Sequence, residues 1–309
     1  MSNALAKLSQ SPADRATPGL DALQSGRPAA RAWRRFRRNR ISLVALFVVA
    51  AILLFVLGAG LISKYVTGFT YAENQLAGAL AKPGEQGYIL GSDGNGRDIL
   101  TRLAYGGRVS LLVATLSSLA TLVIGGTVGA TAGYFGRAAD AILMRLVDVL
   151  LSIPSLALLI LIAALYRPGY IALAFVIATV SWPGVARLIR GEVMALRRRE
   201  FVDAARLLGA SHTRVLLRHI LPNVVPTIVV WTSLVIPGFI LTEAVLSFIG
   251  LGVRIPTPSW GNMLEEANQF YRQNWTNVFF PGLMIYVTVL SINLVGNGLR
   301  DALDPRLGG

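Results

Sequence analysis

The sequence contains no cysteine and only two histidines among its 309 residues. The first absence excludes disulfides, thiolate catalysis and Cys-ligated metal centres, and leaves the redox compartment open. His212 and His219 have no carboxylate or third ligand beside them to complete a metal site, so both read as solvated polar residues. Charge is scarce as well. Asp, Glu, Lys and Arg make up 15% of the chain, against roughly 25% in a soluble globular domain. In their place stand 54% hydrophobic residues and a mean hydropathy of +0.58. Several runs reach or approach the roughly 20 apolar residues that cross a hydrocarbon core about 30 Å thick. The expected class is an all-α integral membrane protein.

Catalytic constellations are missing too. No Ser-His pair, aspartate pair or metal motif falls within the apolar runs, which excludes an intramembrane protease. No nucleophile–base arrangement supports a membrane-anchored enzyme. The glycine-rich "GSDGNGRD", Gly91 to Asp98, has no Gly-Lys-Ser/Thr after it and no strand before it, so phosphate-loop geometry fails. Asp93 and Asn95 begin like a calcium loop, yet Arg97 takes the next ligand position and Ala104 stands where a bidentate Glu belongs. A turn-rich loop capping the span that follows is the expected role.

What is present is a set of spans at 41–63, 109–134, 149–166, 169–186, 224–250 and 278–298. Residues 1–30 read as a disordered polar tail. "RAWRRFRRNR", residues 31–40, then brings six arginines to the first span. That apolar run of about 23 residues is too long for a signal-peptide core, so it is expected to stay uncleaved. With the N-terminus in the cytoplasm, 21 of the 29 lysines and arginines fall on the cytoplasmic side. The net charge of +13 is therefore read as topology and not as a nucleic-acid surface. The expected layout is a basic cytoplasmic tail (1–40), a first span (41–63), an extracytoplasmic loop (64–108), a five-helix core (109–298) and a cytoplasmic C-terminus (299–309). Within the core, residues 187–222 form a cytoplasmic loop. Residues 251–277 form an extracytoplasmic amphipathic segment, with Trp260, Met263, Leu264 and Ala267 on one side and its aromatics at headgroup level.

The spans carry their own signals. Gly125, Gly129 and Gly133 recur at four-residue spacing, which lets helix backbones approach closely. Pro154, Pro183, Pro226 and Pro237 each remove a backbone donor and can kink a span. Glu243 lies well inside the fifth span, where an ionisable group needs a partner or a wet cavity. It is a candidate for a translocation path, or else a structural hydrogen bond to a facing helix.

The cytoplasmic stretch "EFVDAARLLGASHTRVLLRHILPN", Glu200 to Asn223, follows Arg197-Arg198-Arg199. On a helical wheel Phe201, Ala204, Ala205 and Leu208 share a face, with Asp203 and Arg206 opposite. Gly209 is placed to end that helix in a left-handed conformation. Ser211 can cap a second short helix, which Pro222 is expected to end. A small-residue face with one aromatic knob suits a groove on a partner, although a helix resting on the membrane surface has the same pattern.

"DAARLLGASHTRVLLRHILPN" resembles the EAA loop of ATP-binding-cassette (ABC) importer permeases, with Asp203-Ala204-Ala205, Gly209 and Leu221-Pro222 at the motif positions and Asp in place of Glu. "RRFRRNRISLVAL", "GSDGNGRDILTRLAYGGRVSLLV", "LMRLVDVLLSIPSL", "LSFIGLGVRIPTPSWGNML" and "GNGLRDALDPRL" look like the C-type subunit of dipeptide, oligopeptide and nickel permeases; Asn297 departs from the usual Asp. The resemblance implies a type I importer permease fold of six spans in the bacterial inner membrane. It implies pairing with a homologous B-type permease, two cytoplasmic ATPases and an extracytoplasmic binding protein. ATP and Mg would be bound by the ATPases, with no cofactor in this chain, and the cargo would be peptide-like. Glu200, Phe201, Asp203, Ala204, Ala205, Arg206 and Gly209 would then form the ATPase-coupling face. A proton-coupled carrier built on Glu243, or the same importer role with a nickel chelate, glutathione or a sugar, are the alternatives.

Overall fold

Helix α1 (Pro28–Arg38) and helix α2 (Arg40–Leu57) are separated by Asn39, whose side chain accepts from the Ser42 amide at 3.2 Å and caps α2. The computed structural model describes residues 28–303. Residues 1–27 of the expected tail and 304–309 of the expected C-terminal segment lie outside the described residues. Beyond Gly58 the helix continues through Ala59–Leu61 and a π-helical turn, Ile62–Thr67. A loop with tight turns then leads to α3 (Ile99–Phe135), where Asp98 accepts from the Thr101 amide at 2.7 Å. That cap starts α3 inside the loop expected over 64–108, so the loop ends at residue 98. The stretch Gly91–Asp98 does cap the span.

The span expected at 149–166 forms as a bent pair, with the break at Pro154. Helix α4 (Arg137–Leu151) and helix α5 (Ser155–Tyr166) meet at a bend of 78°. Pro154, which has no amide hydrogen and disfavours the helical conformation in the residue before it, sits at the break. Helix α6 (Tyr170–Arg197) runs through Pro183 and well past residue 186. Helix α7 (Glu200–Leu207) is short. Helix α8 (His212–Phe248) then runs unbroken to the far end of the bundle. Hence the loop expected over 187–222 shrinks to α7 and its flanks. Pro222 does not end a helix, because it sits in the first turn after a π-helical segment, Val215–Ile220, where the hydrogen-bond register changes. Helix α9 (Trp260–Ala267) is opened by a reciprocal cap between Ser259 and Asn262, and α10 (Thr276–Leu303) closes the fold. Among the described residues there is no β-strand. Among the described residues five helices are long and apolar enough to cross a membrane, and the bent α4–α5 pair makes six if it counts as one.

Packing fixes the directions. Helices α3 and α6 run parallel, from the Ser117 hydroxyl on the Ala174 carbonyl (3.0 Å) down to Gly133 against Arg190. Along this seam Cβ atoms at Gly125 and Gly133 would stand 2.6 and 2.7 Å from the carbonyl oxygens of Trp182 and Arg190. Gly129 meets the Ala186 carbonyl in the same way. Only glycine permits that approach, and it is the close packing its spacing predicted. Helix α8 lies antiparallel to α3, and α10 packs on α2 through the Ser42 hydroxyl and Leu294 carbonyl at 3.1 Å. The bundle therefore has two ends. An arginine-rich end gathers α1, α4, α7 and the start of α8, and a loop end gathers residues 62–98 and 249–275.

Candidate functional site

Helix α7 is mounted on the arginine-rich end by two small apolar side chains. Val202 is fully buried and Ala205 nearly so, in a cluster with Tyr134, Ile189, Val193, Val215, Ile220 and Val224. Glu200 and Asp203 stand in the first turn, where the helix dipole favours them. The helix ends as its sequence predicted. Gly209 adopts φ +81°, the Ala210 amide bonds to the Ala205 carbonyl at 3.1 Å and the Gly209 amide to the Arg206 carbonyl at 2.9 Å, a Schellman closure. Ser211 then caps α8, accepting from the Arg214 amide.

The outward side differs from the wheel. Phe201 (41% exposed), Glu200, Asp203, Ala204 and Gly209 face out, but Ala205 faces in. It belongs to the seat and not to the outer face, because the bundle takes up the Val202–Ala205 stripe. Leu207 and Leu208, each 89% exposed, extend the outer apolar patch instead. Arg206 is half-buried, 3.3 Å from the Asp203 carboxylate.

One aromatic ties this seat together. Tyr134, at the end of α3 and 2% exposed, has its hydroxyl 3.0 Å from His212 Nδ1. Its ring lies between the guanidinium groups of Arg197 (5.8 Å) and Arg206 (5.9 Å), within cation–π range. A single ring therefore touches α6, α7 and α8. Helix α4 is fastened beside it by the bidentate Arg190–Asp140 pair, at 2.5 and 2.6 Å.

Packing at the loop end centres on Glu243. Glu243 is fully buried and accepts from the Ser110 hydroxyl of α3 (2.7 Å) and the Ser247 hydroxyl of α8 (2.6 Å). Those hydroxyls in turn accept from the Trp260 amide (3.2 Å) and the Val253 amide (3.1 Å). Glu243 is thus a pin holding the segment after α8 and the start of α9 against α3; it faces hydroxyls and not a cavity. Nor does α9 lie on a surface. Trp260 is fully buried, its indole nitrogen donating to the Leu103 carbonyl at 2.9 Å. Glu266 turns into a buried ion quartet, 2.8 Å from Arg97 and 2.7 Å from Arg102. Asp93 completes it, 2.7 Å from Arg97 and 3.4 Å from Arg102. Within the expected amphipathic segment α9 is an internal plug, because its apolar side meets α3 and α8 before it can meet lipid, whereas Tyr271 beyond it stays 49% exposed.

Residues 125–309 match the family described as binding-protein-dependent transport system inner membrane component. Residues 27–83 match the N-terminal TM domain of oligopeptide transport permease C. The chain belongs to this permease family. The permease is 36% identical over 302 residues to the dipeptide transport system permease protein DppC of Alkalihalophilus pseudofirmus, covering 98% of each chain. It is 39% identical over 275 residues to the oligopeptide transport system permease protein OppC of Escherichia coli, covering 88% of this chain and 89% of that one. A solved inward-facing structure of the MetNI methionine ABC transporter matches with a TM-score of 0.54 at 20% identity. That match covers 66% of this chain and 96% of the other, and it supports the importer permease fold.

Sequence reasoning missed Tyr134, Val202, Leu207 and the ion quartet of the permease. Tyr134 sits within the ordinary-looking run "ATAGYF" and has no motif to mark it. The Arg97–Asp93 half of the quartet was legible as an i,i+4 pair, whereas Glu266 is 169 residues away from Arg97. Two of the cavities at the arginine-rich end have charged linings. One of about 470 Å³ is lined by Arg197, Arg198, Arg206 and Asp203. The other, about 500 Å³ between α6, α8 and α10, is lined by Glu192, Thr227, Trp231 and Arg300.

Proposed function

We propose that this permease is one membrane subunit of an ATP-driven importer of di- and oligopeptides. It forms half of the pathway with a homologous permease and receives cargo from an extracytoplasmic binding protein. One of the two ATPases docks on the outer face of α7, and ATP and Mg are bound by the ATPases and not in this chain. The observation that carries the reading is the patch of Phe201, Ala204, Leu207 and Leu208. It projects from a helix whose inner side is locked onto the bundle, as a part that transmits force must be. Burying one such leucine in a partner groove contributes about 1.5–3 kcal/mol. The peptide cargo follows from the named relatives.

In this reading the arginine-rich end faces the cytoplasm of a bacterial cell, with both chain ends on that side. The cysteine-free sequence makes this testable. A single cysteine at position 207 should react with an impermeant maleimide only after the inner membrane is opened. The coupling role is tested by purifying the tagged chain gently from its native membranes. ATPase subunits should accompany the wild type and be lost from a Phe201→Ala, Leu207→Ser, Leu208→Ser variant. A chain that purifies alone and still transports peptide would overturn the reading.

A further inference from the structure

At the arginine-rich end an apolar groove of about 440 Å³ lies between α1, α2, α8 and α10. Trp33 and Phe36 of α1, Leu46 of α2, Val229 of α8 and Leu299 of α10 form its walls. No charged or hydroxyl side chain lines it. Helix α1 is fixed in place above the groove. Phe36 is buried, and its ring passes 3.2 Å from where a Cβ of Gly298 would stand, so α1 sits on bare backbone of α10. Trp33 stacks on Phe36 at 5.8 Å with planes 8° apart, yet remains 52% exposed at the groove mouth.

Cations belong to the helices that wall it. Arg37 follows Trp33 by one helical turn, and Arg40 opens α2, the helix that also supplies Leu46; both are exposed. Arg34 and Arg38, also exposed, add charge on the other side of α1. A slot that is apolar throughout, at the end of the spans and walled by helices that carry exposed guanidinium groups, matches an amphiphile with an anionic head and a hydrocarbon tail. Basic residues just outside a span attract anionic lipid, an indole prefers the interface, and acyl carbons gain by burial against apolar walls. A soluble anion would have no use for the slot, and a neutral lipid would have none for the arginines.

We propose that this groove is a site for an anionic glycerophospholipid, one acyl chain lying along Phe36, Val229 and Leu299 and the phosphate held by Arg37 and Arg40. Bound there, the lipid fastens α1 to α8 and α10. The site stands independently of the cargo and of the ATPases.

The test uses the full-length permease, with whatever subunits accompany it, in nanodiscs containing acyl-brominated phosphatidylglycerol or acyl-brominated phosphatidylcholine. Quenching of Trp33 is read as the difference between wild type and Trp33→Phe. Half-quenching should need roughly tenfold less phosphatidylglycerol than phosphatidylcholine. Arg37→Gln with Arg40→Gln should bring the two lipids together. Val229→Phe, which fills the slot and touches no charge, should abolish quenching by both. Equal quenching by the two lipids in the wild type would overturn the site. So would a preference that survives Val229→Phe, or absence of quenching because another segment or chain covers the groove. Displacement of the lipid by soluble glycerol phosphate would also overturn it, since the slot would then contribute nothing.

Discussion

The Tyr134 hydroxyl and His212 Nδ1 lie 3.0 Å apart across 78 residues of sequence, joining the end of α3 to the start of α8. The same ring carries Arg197 and Arg206, so any displacement of α7 is felt by three other helices at once. Tyr134→Phe removes one hydrogen bond, worth about 1 kcal/mol, and keeps the stacking. Tyr134→Leu removes both. In the reconstituted importer, peptide moved per ATP hydrolysed should fall modestly for Phe and several-fold for Leu, while ATP turnover persists. Wild-type coupling in Tyr134→Leu would remove the hub from the mechanism.

Glu243 is held by hydroxyls and not by a charge partner. Glu243→Gln should therefore keep transport near wild type with an unchanged pH profile. Glu243→Ala leaves the Ser110 and Ser247 hydroxyls short of an acceptor and should lower thermal stability by about 1–3 kcal/mol. Initial uptake rates in the Gln variant, with and without an uncoupler, check this; a collapse of uptake would return Glu243 to a role in proton movement.

In the ion quartet two arginines balance two carboxylates, and both arginines are almost wholly buried. Glu266→Gln strands one positive charge and should cost about 3–5 kcal/mol. Replacing Glu266 and Arg97 together by apolar residues of similar volume should recover much of that loss. Thermal unfolding in detergent distinguishes the two, and an unchanged midpoint in the single variant would show the quartet to be dispensable.

Burial pushes the Asp98 carboxyl above the usual carboxylate range, against hydrogen bonds from Thr101 that pull it down. A raised folded value means that the protonated form folds better. Stability from this group is therefore complete below its unfolded value and is lost as pH rises through the folded one. Asparagine caps a helix as well as aspartate and carries no buried charge. Asp98→Asn should thus unfold at a higher temperature than wild type at pH 7, and the gap should close on acidification. A gap that widens in acid would reverse the assignment.

Each glycine of the α3–α6 seam meets a carbonyl or side chain of the neighbouring helix. Gly129→Val should push the helices apart and fail to yield a monodisperse protein, whereas Gly169→Ala, with nothing within 4 Å, should behave as wild type. Size-exclusion profiles of the two variants decide it.

The helices, the Gly209 closure, the Ser211 cap and the small-residue seam were legible because each is set by local sequence: hydrophobic runs, a cap residue, a left-handed glycine, a four-residue spacing. What was not legible depends on which neighbour arrives first. Ala205 and Ala204 look alike on a wheel, and only the position of Tyr134 and Val215 decides that one is buried. Trp260 has the profile of an interfacial anchor until α3 and α8 enclose it. Pro154 breaks a helix and Pro183 does not, although each removes the same amide hydrogen. That outcome lies with the surrounding packing and not with the residue.

Helix α3 spans 37 residues, about 55 Å at 1.5 Å per residue. It carries Tyr134 near one end and Ser110 and Thr101 toward the other. The seam from Ser117 to Gly133 holds it against α6 over about 24 Å of that length, so the two stiffen into one rod there. A rod does not absorb a push. Whatever tilts it at the Tyr134 end must reappear, reversed about its pivot, where Ser110 holds Glu243 and the plug that follows. The plug and the seat of α7 would then be two ends of one piece, with no signal needing to travel between them.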